Sequence, residues 1–235
     1  MQNTGFYFYD WTYFLVIIGA VLTMIASARV KSTFNKFAKI RNRNQMTGAE
    51  AAERILRAKG LMDVQIIHIA GNLTDHYDPK NKTLALSDVT YDKDSIAAVS
   101  VAAHECGHAM QHEKKYVPLT LRSYLVPFAN FGSKLGIPII ILGIILSYNM
   151  LLIEIGIWVF ALAVLFQVVT LPVEFNASVR GIEELTGLGI LHEEELKLGK
   201  KVLSAAALTY VAAAASSLMQ LMRFVLLFGN RSRRN

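Results

Sequence analysis

Charged side chains are scarce in this sequence. Asp, Glu, Lys and Arg make up 18% of its 235 residues, whereas an ordinary soluble domain carries about 25%. Hydrophobic residues make up 53%. They cluster in long runs, which excludes an ordinary soluble domain and indicates membrane helices. The net charge of +6 comes from Lys and Arg clusters beside these runs, a pattern that favours anionic lipid headgroups over nucleic acid.

Cysteine is nearly absent as well. The chain contains one, Cys106, so no intrachain disulfide can form, which fits a reducing compartment. Basic residues are missing before the first apolar run, Trp11 to Ala28, so the run lacks the basic start of a secretory signal peptide. Because it is long enough to span a bilayer, the sequence predicts an uncleaved N-terminal membrane anchor over residues 1–30.

The residues that follow this anchor set the expected orientation. They carry a dense group of positive charges: Arg29, Lys31, Lys36, Lys39, Arg41 and Arg43. The positive-inside tendency places this group in the cytoplasm. Two further apolar runs then predict a transmembrane hairpin over residues 128–172, which leaves and returns on that side.

Residues 202–235 combine an apolar helix with a basic tail. The uncharged run Val202 to Met222 is long enough to span. If it crosses outward, Arg231, Arg233 and Arg234 end up outside, against the positive-inside tendency. Whether this segment spans is therefore left open.

The polar part of the chain predicts a small mixed domain. Thr47 and Glu50 have the spacing of a capping box that opens a helix. Residues 64–69 predict a strand, and residues 73–86 predict a β-hairpin around an Asp-Pro-Lys-Asn turn. Residues 95–113 predict another helix. We therefore expect a mainly α fold: membrane helices with a small α+β cytoplasmic portion that carries a short β-hairpin.

The chemistry is concentrated in the last of these helices, within a predicted catalytic portion of residues 31–127. It contains the sequence His-Glu-Cys-Gly-His, from His104 to His108. Residues four apart share one face of a helix, so both imidazoles can bind one metal ion while Glu105 borders the same face. The pattern predicts one zinc ion per chain, and it predicts that the small α+β cytoplasmic portion is zincin-like and catalytic. It also predicts that Glu105 is the general base that takes a proton from a zinc-bound water, which then attacks a peptide carbonyl.

Two residues inside the motif are expected to serve packing. Cys106 lies about 200° around the helix from His104, so a small packing residue is the favoured interpretation over a ligand. Gly107 weakens a helix, and it is expected to admit the close approach of another chain segment or of the substrate.

Longer stretches of the sequence resemble one known family. The matching segments are residues 73–79, 95–98, 101–111, 171–178 and 202–211. In them the chain resembles the neutral zinc metallopeptidases of bacterial membranes, the YugP-like group. The resemblance implies a multi-pass zinc peptidase of the bacterial plasma membrane with Glu174 as the third zinc ligand.

Two positions depart from the patterns of such enzymes. Asn176 stands where the YugP-like group is expected to carry Asp. The layout is also similar, more distantly, to the HtpX-type and prenyl-protein membrane endopeptidases, which place an Asp four residues after the ligand Glu. This chain has Ser178 there, so the carboxylate that would orient a ligand is missing from that position.

Geometry can be used to weigh other candidates for the third ligand. His112 lies about 12 Å along the helix axis from His104, too far for a metal held about 2 Å from both motif histidines. Glu154 lies at the far end of the predicted hairpin, about 30 Å across the bilayer. Glu174 follows the returning span, in a polar helical segment over residues 173–201, and Pro172 is expected to separate the two.

The donor that stabilises the developing oxyanion is less defined. Four polar residues near the motif segments are candidates: His76, Tyr77, Tyr91 and Arg180. His76 is the favoured one, although an ordinary surface role stays open for each. The predicted hairpin could also bind an extended peptide as an added strand.

These observations predict a membrane-integral zinc endopeptidase that cleaves peptides or membrane proteins near the cytoplasmic face. The expected partners are the lipid bilayer and such substrates, with no nucleic acid. The alternative is a membrane scaffold with a structural zinc, against which Glu105 argues because a structural site needs no base. An intramembrane site is disfavoured because Ile96 to Met110 is too short to span and has charged flanks.

Overall fold

The computed structural model describes residues 10–229. In chain order its elements are α1 Tyr13–Phe37, α2 Gly48–Ala58, β1 Gln65–Ile69, β2 His76–Asp78, β3 Thr83–Ser87, α3 Ile96–Glu113, α4 Val117–Ile145, α5 Met150–Gly187 and α6 Glu193–Phe228. The expected mainly α architecture with a small α+β portion is confirmed. The basic tail at Arg231, Arg233 and Arg234 lies outside the described residues.

The chain divides into two compact units. Of the described residues, the first comprises 10–25, 124–168 and 211–229, and the second comprises 26–123 and 169–210. Among the described residues, the four helices α1, α4, α5 and α6 are long and apolar enough to cross a membrane. The last of them includes the segment whose spanning the sequence left open.

Glycines bring α4 and α5 into close contact in the first unit. A Cβ placed on Gly132 would lie 2.4 Å from the carbonyl oxygen of Val159, and one on Gly136 would lie 2.8 Å from the Cβ of Phe160. Gly132 and Gly136 are one turn apart, the small-xxx-small spacing that lets membrane helices approach closely. The two helices therefore pack against each other as a helical hairpin, and the predicted span over residues 128–172 stays a prediction.

In the same unit, α1 and α6 run antiparallel. Near one end, Arg223 lies 3.5 Å from the Asp10 carboxylate and 4.1 Å from the ring centroid of Tyr13. Further along, a Cβ on Gly19 would lie 2.7 Å from Ser216 Oγ. The beginning of α1 is therefore beside the later part of α6.

The second unit is built around α2, α3 and the sheet. The predicted capping box is present: the Thr47 side chain accepts from the Glu50 backbone N–H, and the Glu50 carboxylate accepts from the Thr47 N–H. The strand order is β1-β3-β2, with β1 parallel to β3 and β2 antiparallel to it. Ile55, Leu84 and Val99 are fully buried between the sheet and the two helices.

Two boundaries differ from those expected. The hairpin strand begins at His76 instead of residue 73, because Leu73 adopts φ 57° and interrupts the extended chain. Pro172 does not separate two segments: it lies inside α5, which continues to Gly187. A proline removes one backbone hydrogen bond and can bend a helix without ending it. The polar segment 173–201 is consequently shared between α5 and α6.

We predict that Gly132→Val lowers the melting temperature of the detergent-solubilised protein. The new side chain collides with the Val159 carbonyl, and overpacking of this kind costs about 1–3 kcal/mol. Gly187→Ala is the matched control, because a Cβ there has no neighbouring atom within 4 Å. Equal melting of Gly132→Val and the parent would contradict the helix contact.

Candidate metal centre

Helix α3 presents two histidines at one edge of the core of the second unit. Ser95 begins the helix, and its Oγ accepts from the Ala98 N–H at 3.1 Å. Buried α3 residues such as Ala102 and Cys106 belong to the hydrophobic core. The imidazoles of His104 and His108 lie on another face, with ring centroids 4.8 Å apart and planes nearly perpendicular.

Helix α5 crosses α3 at backbone distance. A Cβ on Gly107 would lie 2.3 Å from the carbonyl oxygen of Ala177, and one on Gly181 would lie 2.8 Å from the carbonyl oxygen of Ala103. Both distances are too short for a side chain. The expectation that Gly107 admits another chain segment is therefore confirmed, and the segment is the part of α5 that carries Glu174.

The crossing brings one carboxylate oxygen to both imidazoles. Glu174 Oε2 lies 3.3 Å from His104 Nε2 and 3.6 Å from His108 Nε2. The candidate ligand atoms of the three residues all lie within 4.8 Å of one another. A tetrahedral zinc with bonds of about 2.0–2.1 Å holds its ligand atoms roughly 3.3 Å apart, so this donor set fits the ion.

The two oxygens of Glu174 have different surroundings. The side chain is only 3% exposed. Arg122 Nη1 donates to Oε1 at 3.1 Å, whereas Oε2 is buried and accepts no hydrogen bond of good geometry. A buried carboxylate oxygen without a partner is costly. Glu174 Oε2 lies close to two imidazole nitrogens, and in that position it is suited to coordinate a cation.

Hydrogen bonds on the outer nitrogens orient both rings. His104 Nδ1 lies 3.0 Å from Ser178 Oγ, and His108 Nδ1 lies 3.1 Å from Gln111 Oε1. Partners at Nδ1 leave Nε2 of each ring directed at Glu174, the arrangement common to metal-binding histidines. Ser178 thus supplies a hydroxyl at the position where an Asp was missing.

The pKa values of His108 and of the neighbouring Cys106 both depart from their usual range. Burial disfavours the charged form of His108, but the carboxylates of Glu174 and Glu105 outweigh it and raise the pKa of this imidazole. Burial, and then the charge of Glu105, raises the pKa of the Cys106 thiol well above its usual value. A neutral buried thiol in the core fits the packing role expected for Cys106.

Glu105, the acidic residue of the motif, is buried. Glu105 is 7% exposed, and its charge acts on both His108 and the Tyr210 hydroxyl. Tyr210, on α6, also interacts with Glu174 and Arg122. The Glu105 carboxylate and the Tyr210 O–H therefore both interact with residues of the candidate ligand set.

The other candidates from the sequence lie in different surroundings. Exposed His76 lies on β2 and bonds the Thr74 carbonyl oxygen through Nδ1 at 2.9 Å, so its proposed catalytic role stays a prediction. The Tyr77 hydroxyl lies 2.9 Å from His112 Nδ1. Tyr91 packs on His68 and lines a cavity of about 420 Å³ beside α2. Glu154 lies twenty residues before Glu174 in α5 and is outside the candidate metal cluster.

Three residues of the site were not anticipated. Gln111 follows His108 by three residues, so helical spacing was a usable signal. Arg122 and Tyr210 carried no such signal. They reach Glu174 from α4 and α6, and their positions depend on tertiary packing.

We predict that Gly107→Ala lowers the zinc content of the purified protein. The added methyl group displaces the Ala177 carbonyl, and Glu174 moves with its helix away from the imidazoles. Cys106→Ala, one residue away, should keep its zinc because the thiol is not a ligand. Elemental analysis checks both variants, and full zinc in Gly107→Ala with an unchanged melting temperature would contradict the crossing.

Comparison with known proteins points to the same chemistry. Residues 12–229 match the family model described as "Putative neutral zinc metallopeptidase". The chain is 47% identical over 217 residues to "Putative membrane protease YugP" of Bacillus subtilis (strain 168), and the match covers 92% of this chain and 96% of that protein. No solved structure matches the chain at a significant level.

This relative and the four apolar helices make the chain a membrane protein. The family model spans most of the sequence, including the His104–His108 motif and Glu174. The chain therefore belongs to the family of neutral zinc metallopeptidases.

Proposed function

We propose that this protein is a membrane-integral zinc endopeptidase of the HExxH plus Glu type. The observation that carries the proposal is the position of Glu174 Oε2, buried without a hydrogen bond and 3.3 and 3.6 Å from the two motif imidazoles. Three protein ligands leave one position of a tetrahedral ion open, which is typical of catalytic zinc sites.

His104, His108 and Glu174 would hold a single zinc ion. When bound, zinc supplies a Lewis acid that polarises a carbonyl oxygen and lowers the pKa of water to about 7. Arg122 keeps Oε1 of Glu174 occupied, and this favours coordination through Oε2 alone. Gln111 and Ser178 bond the Nδ1 atoms of the histidines and would leave both Nε2 atoms available to the ion.

Glu105 is the proposed general base. It borders the ligand face of α3 without being part of the ligand cluster. Its carboxylate takes a proton from the water that attacks the peptide carbonyl and returns it to the leaving amine. Glu105 is buried but is not one of the three proposed ligands, which argues against the alternative of a scaffold with a purely structural zinc.

Tyr210 is the proposed donor for the developing oxyanion. Its O–H interacts electrostatically with Glu105, Glu174 and Arg122, and a phenolic donor near the reacting carbonyl can stabilise the negative charge. His76 is a second candidate. Because its Nδ1 donates to the Thr74 carbonyl, the neutral ring has only an acceptor left at Nε2, so His76 can donate to an oxyanion only when protonated.

The sheet offers a place for an extended substrate. β2 is an edge strand next to β3, and it contacts α3. A peptide or an exposed segment of a membrane protein can pair with the free edge of β2 through main-chain hydrogen bonds. Its backbone would then be presented to the motif helix in an extended form.

The site is proposed to face the cytoplasm. The second unit begins at Ala26, and the basic residues Arg29 to Arg43 belong to it. The positive-inside tendency places such residues on the cytoplasmic side of the bacterial plasma membrane. The α4–α5 turn near Leu146 would then lie on the outer side.

Glu105→Gln is predicted to retain zinc and lose peptide hydrolysis. The substitution removes the base but none of the three ligands, and loss of a general base typically costs 10²–10⁴-fold in rate. Glu113→Gln, an exposed change on the same helix, is the control and should cleave like the parent. Hydrolysis of a casein-like substrate is measured together with zinc content, and unchanged cleavage by Glu105→Gln would refute its role.

Thiol labelling tests the orientation. In a Cys106→Ala background, Lys80→Cys places a lone thiol on the exposed turn after β2, and Leu146→Cys places one at the α4–α5 turn. A membrane-impermeant maleimide added to intact cells should label Leu146→Cys alone. Lys80→Cys should react only after the membrane is permeabilised, and its labelling in intact cells would overturn the cytoplasmic assignment.

A further inference from the structure

A chain of hydrogen bonds leads away from His108 into α5. His108 Nδ1 lies 3.1 Å from Gln111 Oε1. Gln111 Nε2 donates to the Val173 carbonyl oxygen at 2.8 Å and to Asn176 Oδ1 at 3.0 Å. Arg180 Nε donates to the same Asn176 oxygen at 2.7 Å. None of these four side-chain links contacts Glu174.

Arg180, at the far end of this series of hydrogen bonds, fixes which atom donates and which accepts in each of them. The Arg180 guanidinium can only donate, so the Asn176 atom that it meets must be the oxygen. The Val173 carbonyl can only accept, so the Gln111 atom facing it must be the amide nitrogen. The remaining Gln111 atom is therefore an oxygen. Facing an acceptor, His108 Nδ1 must carry a hydrogen, which leaves the lone pair of the neutral ring on Nε2.

The side chains in this series of hydrogen bonds are held in place by burial and by packing. Gln111 is fully buried, so water does not compete for its amide. The Arg180 guanidinium lies 5.9 Å from the ring centroid of Tyr116. The backbone N–H of Tyr116 in turn donates to the backbone carbonyl oxygen of Gln111 at 2.9 Å. The burial of Gln111, its bond to the Val173 carbonyl and the Arg180 donor at Asn176 oppose a flip of either side-chain amide.

We propose that Gln111 is a positioning residue that fixes the tautomer of His108, with Asn176 and Arg180 holding the Gln111 amide in the required orientation. The inference rests on the proposed zinc site, because it concerns which nitrogen of His108 is offered to the ion. Outer partners of metal-binding histidines act in this way on ligand orientation and basicity.

His104 differs from His108 in this respect. Its Nδ1 is paired with the Ser178 hydroxyl, which can rotate to donate or to accept. The hydroxyl orients the ring, but it does not select a tautomer. Of the two ligand histidines, only His108 consequently has a partner, Gln111, that determines which ring nitrogen carries the proton.

The same argument assigns a single function to Asn176. Its oxygen accepts from both Gln111 and Arg180, and the orientation of the Gln111 amide depends on that oxygen. An aspartate supplies the same acceptor beside Arg180. Asn176→Asp should therefore preserve the chain, whereas Asn176→Leu removes the acceptor at similar volume.

The test compares zinc affinity and cobalt spectra in the full-length, detergent-solubilised protein. Gln111→Met and Asn176→Leu are the disrupting variants, and Asn176→Asp is the conservative one. Competition with a chelator should show zinc binding about 10- to 100-fold weaker in Gln111→Met, the usual effect of losing such a partner. Asn176→Leu should also bind zinc more weakly, and Asn176→Asp should match the parent. The visible spectrum of bound Co²⁺ should shift in the disrupting variants only.

The outcomes separate this inference from the proposed function. Parent-like zinc affinity and cobalt spectra in Gln111→Met and Asn176→Leu would overturn the inference while leaving the zinc site intact. Equal losses in Asn176→Asp and Asn176→Leu would also overturn it, because the oxygen would then not be the determining feature. If the parent itself fails to bind zinc, the proposed function fails and the inference with it.

Discussion

The carbonyl oxygen of Ala177 occupies the space that any side chain at residue 107 would need. This contact brings the backbones of α3 and α5 together. Glu174, Asn176 and Ser178 all lie on the stretch of α5 next to the contact, and each makes an interaction that depends on the distance between the two helices. A shift of about 1 Å at the crossing would lengthen the Glu174–imidazole distances and the bonds to Gln111 and His104 together, since packed cores transmit such displacements.

The buried carboxylate of Glu174 adds an electrostatic constraint to the packing constraint at this crossing. Glu174 is almost inaccessible to water, and Arg122 satisfies only one of its oxygens. A buried charge that lacks compensation is strongly destabilising. The other oxygen therefore depends on positive charge at the imidazoles or on a bound cation. Since a cation that binds only the folded chain stabilises it, metal binding and the local stability of the α3–α5 crossing are linked.

Local periodicity predicted the parts of the site that lie on one helix. The four-residue spacing of His104 and His108 and the capping box at Thr47 depend only on neighbours in sequence, and the structure contains both helices as expected. Glu174 could be placed beside the motif only through the family resemblance and the hairpin argument, and its ligand role stays a prediction. Pro172 was expected to separate two segments, but a long helix tolerates one missing hydrogen bond when its flanks are packed. Arg122 and Tyr210 could not be found from the sequence because they reach the site from separate helices.

Zinc K-edge X-ray absorption of the purified protein tests the central claim most directly, because it reports the ligand atoms of the ion. The account predicts one zinc per chain with only nitrogen and oxygen ligands at about 2.0–2.2 Å and the outer-shell scattering of two imidazoles. A sulfur at about 2.3 Å, which would implicate Cys106, or a site with fewer than two imidazoles, would contradict the assignment of His104, His108 and Glu174 as the zinc ligands.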